Sequence, residues 1–178
     1  MSYEVVLLIE EGLSEADASQ VYSLHEAEAP VHYTVLMPVE DAAAQVEAGI
    51  GSLGAGEVLA APTLALDPEQ VQELQAELVS HCQGAIDASL ALLRTAGATA
   101  DGEVVHAEPI GALAAKVADV DAREAIIMTR PHVVAEFFHV DWTSRARRKL
   151  GVPVLHLLEH ESFDEQAEGY GEEGVTGL

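Results

Sequence analysis

The chain has 178 residues, of which 49% are hydrophobic and 22% charged, enough apolar material for one domain with its own core and incompatible with a collagen-like or wholly disordered chain. With 31 acidic residues against 8 basic ones the formal charge is -23, which repels a nucleic-acid backbone or an anionic membrane and excludes both as general partners. One cysteine, Cys82, forbids an internal disulfide, and the apolar run from Val5 to Ile9 is too short for a signal peptide or a membrane span, so a cytoplasmic chain is expected.

Short apolar runs alternate with helical patterns along the chain. The first strand is expected over residues 3–10, and its near-continuous run Val5, Val6, Leu7, Leu8, Ile9 suits a parallel strand buried on both faces. Ser14 caps the following helix, with Asp17 three residues on completing a capping box and Val21, Leu24 and His25 turned inward. A second strand is expected over 32–39. Residues 40–66 form an Ala- and Gly-rich insertion, longer than an ordinary connection.

Asp67 then caps a long helix with Pro68 at its first position, where a missing N–H costs nothing. Val71, Leu74, Leu78, Cys82, Ile86 and Leu93 run along one face of it to Gly97. A strand over 102–107 follows, and Pro109 opens a helix with Ile110, Leu113 and Val117 inward. The fourth strand covers 124–128, a fourth helix runs from about Asp141 to Leu150, and a last strand covers 152–158, from Val152 to Leu158. Right-handed crossovers make this an α/β, Rossmann-like, doubly wound sheet of five parallel strands. Residues 1–158 are the expected domain. Residues 159–178 hold seven acidic residues, four glycines and no Lys or Arg, the composition of a flexible, solvated tail.

The stretch Glu124-Ala-Ile-Ile-Met-Thr-Arg-Pro, followed by Ser144-Arg-Ala-Arg-Arg-Lys-Leu-Gly-Val-Pro-Val-Leu, resembles the C-terminal half of the universal stress proteins (UspA-like), and the element order over residues 3–158 agrees. The resemblance implies the adenine nucleotide alpha hydrolase-like fold, a doubly wound five-stranded parallel sheet in the order 3-2-1-4-5. It also implies a homodimer through the edge strand at 152–158, and the apolar character of that strand points the same way, because an unpartnered apolar edge is an aggregation hazard.

Members that bind ATP use G-x-x-G, nine residues, then G-[ST], in which glycines admit the phosphates to the backbone. Aligned on Thr129 and Arg130, the first two glycine positions hold Met128 and Pro131. Aligned back from Pro153, the last two positions hold Val140 and Asp141. Met128 and Val140 add side chains, Pro131 removes a donor and Asp141 places a carboxylate where a hydroxyl would meet the triphosphate. The family's nucleotide binders carry an Asp at the end of the first strand; here Glu10 and Glu11 stand there.

Two readings follow. One is a non-catalytic stress-response or regulatory homodimer without ATP or another cofactor, acting through its dimer surface and the 40–66 insertion. The other is an adenine nucleotide or small-anion binder that uses Glu10, Thr129, Arg130, Asp141 and Arg145. Arg130, Arg145, Arg147, Arg148 and Lys149 are five of the eight basic residues, either lining an anion site over the strand ends or pairing locally, as Asp141 and Arg145 can at i, i+4.

The segment Gly49-Ile-Gly51-Ser-Leu-Gly54 matches the dinucleotide fingerprint but lacks the strand before it and the helix after it, which reads as a loop. His132, His139 and Asp141 fall in one loop without the three or four ligands that zinc takes. His81 and Cys82 are adjacent on a helix and do not face each other, and Cys82 lies on the apolar stripe. No serine nucleophile elbow, P-loop lysine or paired-carboxylate signature is present, so no catalytic and no metal residue is assigned.

Overall fold

Five strands form one parallel sheet in the order β3-β2-β1-β4-β5. The computed structural model describes residues 2–28, 30–39, 67–106, 108–129 and 148–160. In chain order these give β1 (Tyr3–Ile9), α1 (Glu15–Ser23), a 3-10 turn (Glu26–Glu28), β2 (Val31–Pro38), α2 (Pro68–Ala96), β3 (Thr99–Val105), α3 (Pro109–Asp119), β4 (Glu124–Thr129) and β5 (Val154–Leu158).

β1 pairs with β2 on one side and β4 on the other, which makes it a central strand, and its side chains are buried from Val5 to Ile9 on both faces. Alternation along a strand then divides the core in two. Val5, Leu7 and Ile9 join Tyr33, Val35, Met37, Ile126 and Met128 beneath α1 and α2, which contribute Ala18, Val21, Ile86, Leu90 and Leu93. Val6 and Leu8 join Leu36, Ala125 and Ile127 beneath α3, which contributes Leu113 and Val117. Crossovers of one hand put α1 and α2 on one face and α3 on the other.

The helix ends follow the expected chemistry. Ser14 Oγ accepts the Asp17 amide while Asp17 Oδ2 accepts the Ser14 amide at 2.8 Å, closing the capping box. Asp67 and Gln70 cap α2 in the same reciprocal way, and the helix ends on Gly97, whose φ of 116° is a left-handed conformation that favours glycine. α2 packs closely on β3 because Gly102 has no side chain; a Cβ there would lie 2.8 Å from the Val35 carbonyl oxygen and 3.0 Å from Ile86 Cγ2.

Several expectations are corrected. β3 begins at Thr99 rather than at 102, since an edge strand with exposed polar positions carries no apolar run to reveal it. β5 begins at Val154 rather than Val152, and β1 ends at Ile9, leaving Glu10 in the bend that follows. Leu24 is 39% exposed rather than inward, because α1 stops at Ser23 and Leu24 forms its C-cap. Glu159 and His160, assigned to a solvated tail, belong to the folded unit, with Glu159 buried. Of the expected fourth helix, residues 148–150 are described and helical; 141–147, the 40–66 insertion with its glycine motif, and 161–178 lie outside the described residues. Among the described residues no helix is long and apolar enough to cross a membrane.

Candidate functional site

A cleft of about 100 Å³ opens at the C-terminal ends of β1, β2 and β4 and the start of α3. That is where doubly wound sheets bind ligands, at the point where the strand order reverses. Its apolar walls include Leu8, Pro38, Ile110 and Ile127, and its polar groups are Glu10, Glu108, Thr129 and His156.

Thr129, the last residue of β4, is buried, and its Oγ1 lies 2.9 Å from His156 Nε2 on β5. Burial pushes the His156 imidazole down to about 4, so it is neutral near pH 7 and acts there as a hydrogen-bonding group rather than a cation. Glu108 is the N-cap of α3: its Oε1 accepts the Ile110 amide at 3.0 Å and its Oε2 the Gly111 amide at 2.7 Å. Lys149 Nζ approaches the same carboxylate at 3.9 Å. The donors and positive dipole end that make a helix start attractive to anions are therefore engaged by a carboxylate of this chain.

Glu10 borders the cleft from the bend after β1. Its amide and that of Glu11 both donate at 2.9 Å to Glu159 Oε1, which arrives from the end of β5. Burial, aided by the Glu10 and Glu11 charges, pushes the Glu159 carboxyl up to about 7 against the opposing effect of the two amide bonds.

Of the five residues singled out in the sequence, Glu10 and Thr129 thus border one cleft, while Arg130, Asp141 and Arg145 lie outside the described residues, as do Pro131, His132, His139 and Val140. Met128 also borders the cleft, but its side chain is fully buried in the cluster under α1 and α2. The expectation that this side chain obstructs an approaching phosphate is corrected: strand alternation turns it to the far face, and Ile127 and Thr129 toward α3.

Sequence reasoning passed over His156, Glu108 and Glu159. Pro109 at a first helical position marks 108 as a cap, and the parity of Thr129 on β4 marks 156 as its neighbour on β5, where Ile127 pairs with His156. Cys82 is half-buried against the larger cluster, as its place on the stripe implies. Among the described residues no group of three or more His, Cys, Asp or Glu is placed to hold a metal ion.

The doubly wound parallel sheet in this order, with a cleft over the ends of β1 and β4, is the fold seen in solved universal stress proteins. The hypothetical protein MJ0577 superposes with a TM-score of 0.60 at 14% identity, over 91% of this chain and 100% of that one. The universal stress protein UspA from Lactobacillus plantarum does so at 0.55 and 18% identity, over 88% and 99%. A universal stress protein family protein from Arabidopsis thaliana, solved with AMP bound, does so at 0.52 and 9% identity, over 91% and 94%. No family model matches the sequence, and no curated protein matches it significantly.

Proposed function

We propose that this chain is a non-catalytic stress-response or regulatory protein that works as a cytoplasmic homodimer and does not bind ATP in the manner usual for its fold. Glu108 carries the reading. Its carboxylate accepts the two amides at the start of α3 on the cleft wall, and Glu10 adds a second carboxylate to the same cleft. A triphosphate brought there meets negative charge where it needs donors. The cleft, at about 100 Å³, is also well below the roughly 300 Å³ at which small-molecule sites begin.

The homodimer reading rests on β5. It is the last strand of the sheet, with Leu155 37% exposed and Val154 and Leu158 half-buried. Pairing that edge with its own copy would satisfy the outer backbone groups and cover Leu155. A cytoplasmic setting agrees with the lone Cys82.

A second reading, an adenine nucleotide or small-anion binder, is favoured by the position of the cleft, and the AMP-bound Arabidopsis neighbour supports it. It would use Glu10 and Thr129 together with Arg130, Asp141 and Arg145. Calorimetric titration with Mg-ATP separates the two: no binding below millimolar concentration is expected, and micromolar affinity would install the second reading. Sedimentation at micromolar concentration is expected to give a dimer; a monomer would remove the homodimer from the proposal.

A further inference from the structure

Glu159 has no part in the reading above, yet it is among the most constrained side chains in the molecule. Its amide donates to the Thr129 carbonyl at 3.0 Å, extending the β4–β5 pairing, and its side chain turns inward until the residue is only 1% exposed. Oε1 accepts the Glu10 and Glu11 amides, whereas Oε2 is buried without a hydrogen-bond partner among the described residues. His160 follows as a second attachment. Its amide donates to Asp17 Oδ1 at 2.9 Å, its Nδ1 lies 3.0 Å from Asp17 Oδ2, and its Nε2 lies 3.5 Å from Glu11 Oε2. Asp17 is itself 1% exposed and holds the capping box of α1. Two consecutive residues therefore fasten the end of β5 to the turn between β1 and α1, some 149 positions away in sequence.

Three further carboxylates stand around this attachment. Glu10 and Glu11 face Glu159 from the end of β1, Asp17 faces His160 from α1, β4 contributes the Thr129 carbonyl, and the His160 imidazole lies against Asp17 and Glu11. An ionised carboxylate has about four acceptor sites, and here two donors reach one oxygen and none reaches the other. Burial favours the neutral acid in such a place, since a neutral group forfeits far less hydration than an anion.

We propose that residues 159–160 are a proton-gated clip: with its proton, Glu159 holds the end of β5 on the β1–α1 turn, and without it the side chain leaves the turn and frees the amide of Glu10 at the cleft. The device would couple proton concentration to the mouth of the cleft and to the edge strand at once. The direction is fixed by linkage. Because folding raises Glu159 from 4.5 to about 7, its hold is fullest below 4.5, weakens as pH rises between the two values and levels off above about 7.

Amide hydrogen exchange on the full chain, corrected for intrinsic base catalysis, tests this. Protection of the Glu10 and Glu11 amides is expected to fall roughly tenfold per pH unit between pH 5 and 7 and then to flatten. In Glu159→Gln, which keeps an acceptor at Oε1 without a charge, that dependence is expected to vanish. Protection independent of pH in the wild type, or the same slope in Glu159→Gln, would overturn the clip. The wild type also allows a test without any variant. Carbon-detected titration of the Glu159 side-chain carboxyl is expected to give a midpoint near 7, and one in the ordinary carboxylate range would sink the proposal.

Discussion

Thr129 Oγ1 and His156 Nε2, 2.9 Å apart, tie the last residue of β4 to the edge strand β5 on the wall of the strand-end cleft. Folding depresses the imidazole from 6.5 to about 4, so the stabilising contribution is present above pH 6.5 and is lost as pH falls toward 4. The Glu159 contribution changes in the opposite direction over nearly the same interval but is common to wild type and variant. The melting temperature of His156→Gln relative to the wild type is therefore expected to rise as pH falls from 6.5 toward 4 when both are followed by calorimetry. Thr129→Val removes the hydroxyl partner and is expected to cost about 1 kcal/mol in chemical unfolding.

Glu108 combines a cap with a charge, and the two can be separated. Glu108→Ala is expected to lower unfolding free energy by about 1 kcal/mol, the usual cost of a lost N-cap. Glu108→Asn keeps an acceptor for the α3 amides while removing the carboxylate from the cleft. Removing one such charge a few ångströms from an anion is worth about 1 kcal/mol, so AMP is expected to bind about fivefold more tightly to Glu108→Asn than to the wild type. Equal affinities by calorimetric titration would show that Glu108 is not what turns anions away.

At Gly102 the contact is steric. A methyl group would sit 2.8 Å from a backbone oxygen of β2, which cannot rotate aside as a side chain can. Gly102→Ala is expected to lose about 1–3 kcal/mol in urea unfolding, the range for overpacking, despite alanine's better strand entropy.

A buried polar cluster closes the opposite end of the sheet. His25 Nδ1 lies 2.7 Å from Tyr33 Oη, His25 Nε2 pairs with Glu124, and Tyr33 Oη donates to the Val21 carbonyl at 3.0 Å. Burial, and the Glu124 charge after it, push the Tyr33 phenol above its ordinary value, so it stays a neutral donor. Tyr33→Phe preserves the ring packing while leaving buried groups without a partner, at an expected cost of about 1–3 kcal/mol by thermal or chemical unfolding.

The Ser14–Asp17 capping box and the Pro-led starts of α2 and α3 were legible in the sequence because each depends on residues close together in the chain, whereas the strand order came with the family resemblance. Ser14 and Asp17 or Asp67 and Pro68 sit within one helical turn, and the continuous apolar runs of β1 and β4 could only be central strands. Glu159 was illegible for the opposite reason. A carboxylate in an acidic, glycine-bearing stretch reads as solvated, and nothing near it reveals that the Glu10 and Glu11 amides converge on it. Met128 was judged from its place in the aligned glycine motif, which takes no account of strand parity, and parity turns its side chain under α1 and α2. Glu10 and Thr129, singled out in the sequence, both border the cleft, but their partners His156 and Glu159 lie on and just after a strand whose place is set by long-range pairing with β4.

The 29 residues of α2 span about 43 Å, whereas the seven residues of β3 span about 23 Å. All the buried positions of α2 fall from Ile86 onward. Among the described residues the helix is thus anchored in the core by its second half, while Val71, Leu74 and Leu78 on the same stripe are half-buried. A continuous helix transmits bending along its hydrogen-bonded length, so a load applied near Val71 would arrive as torque at Ile86, where α2 lies against Gly102 of β3.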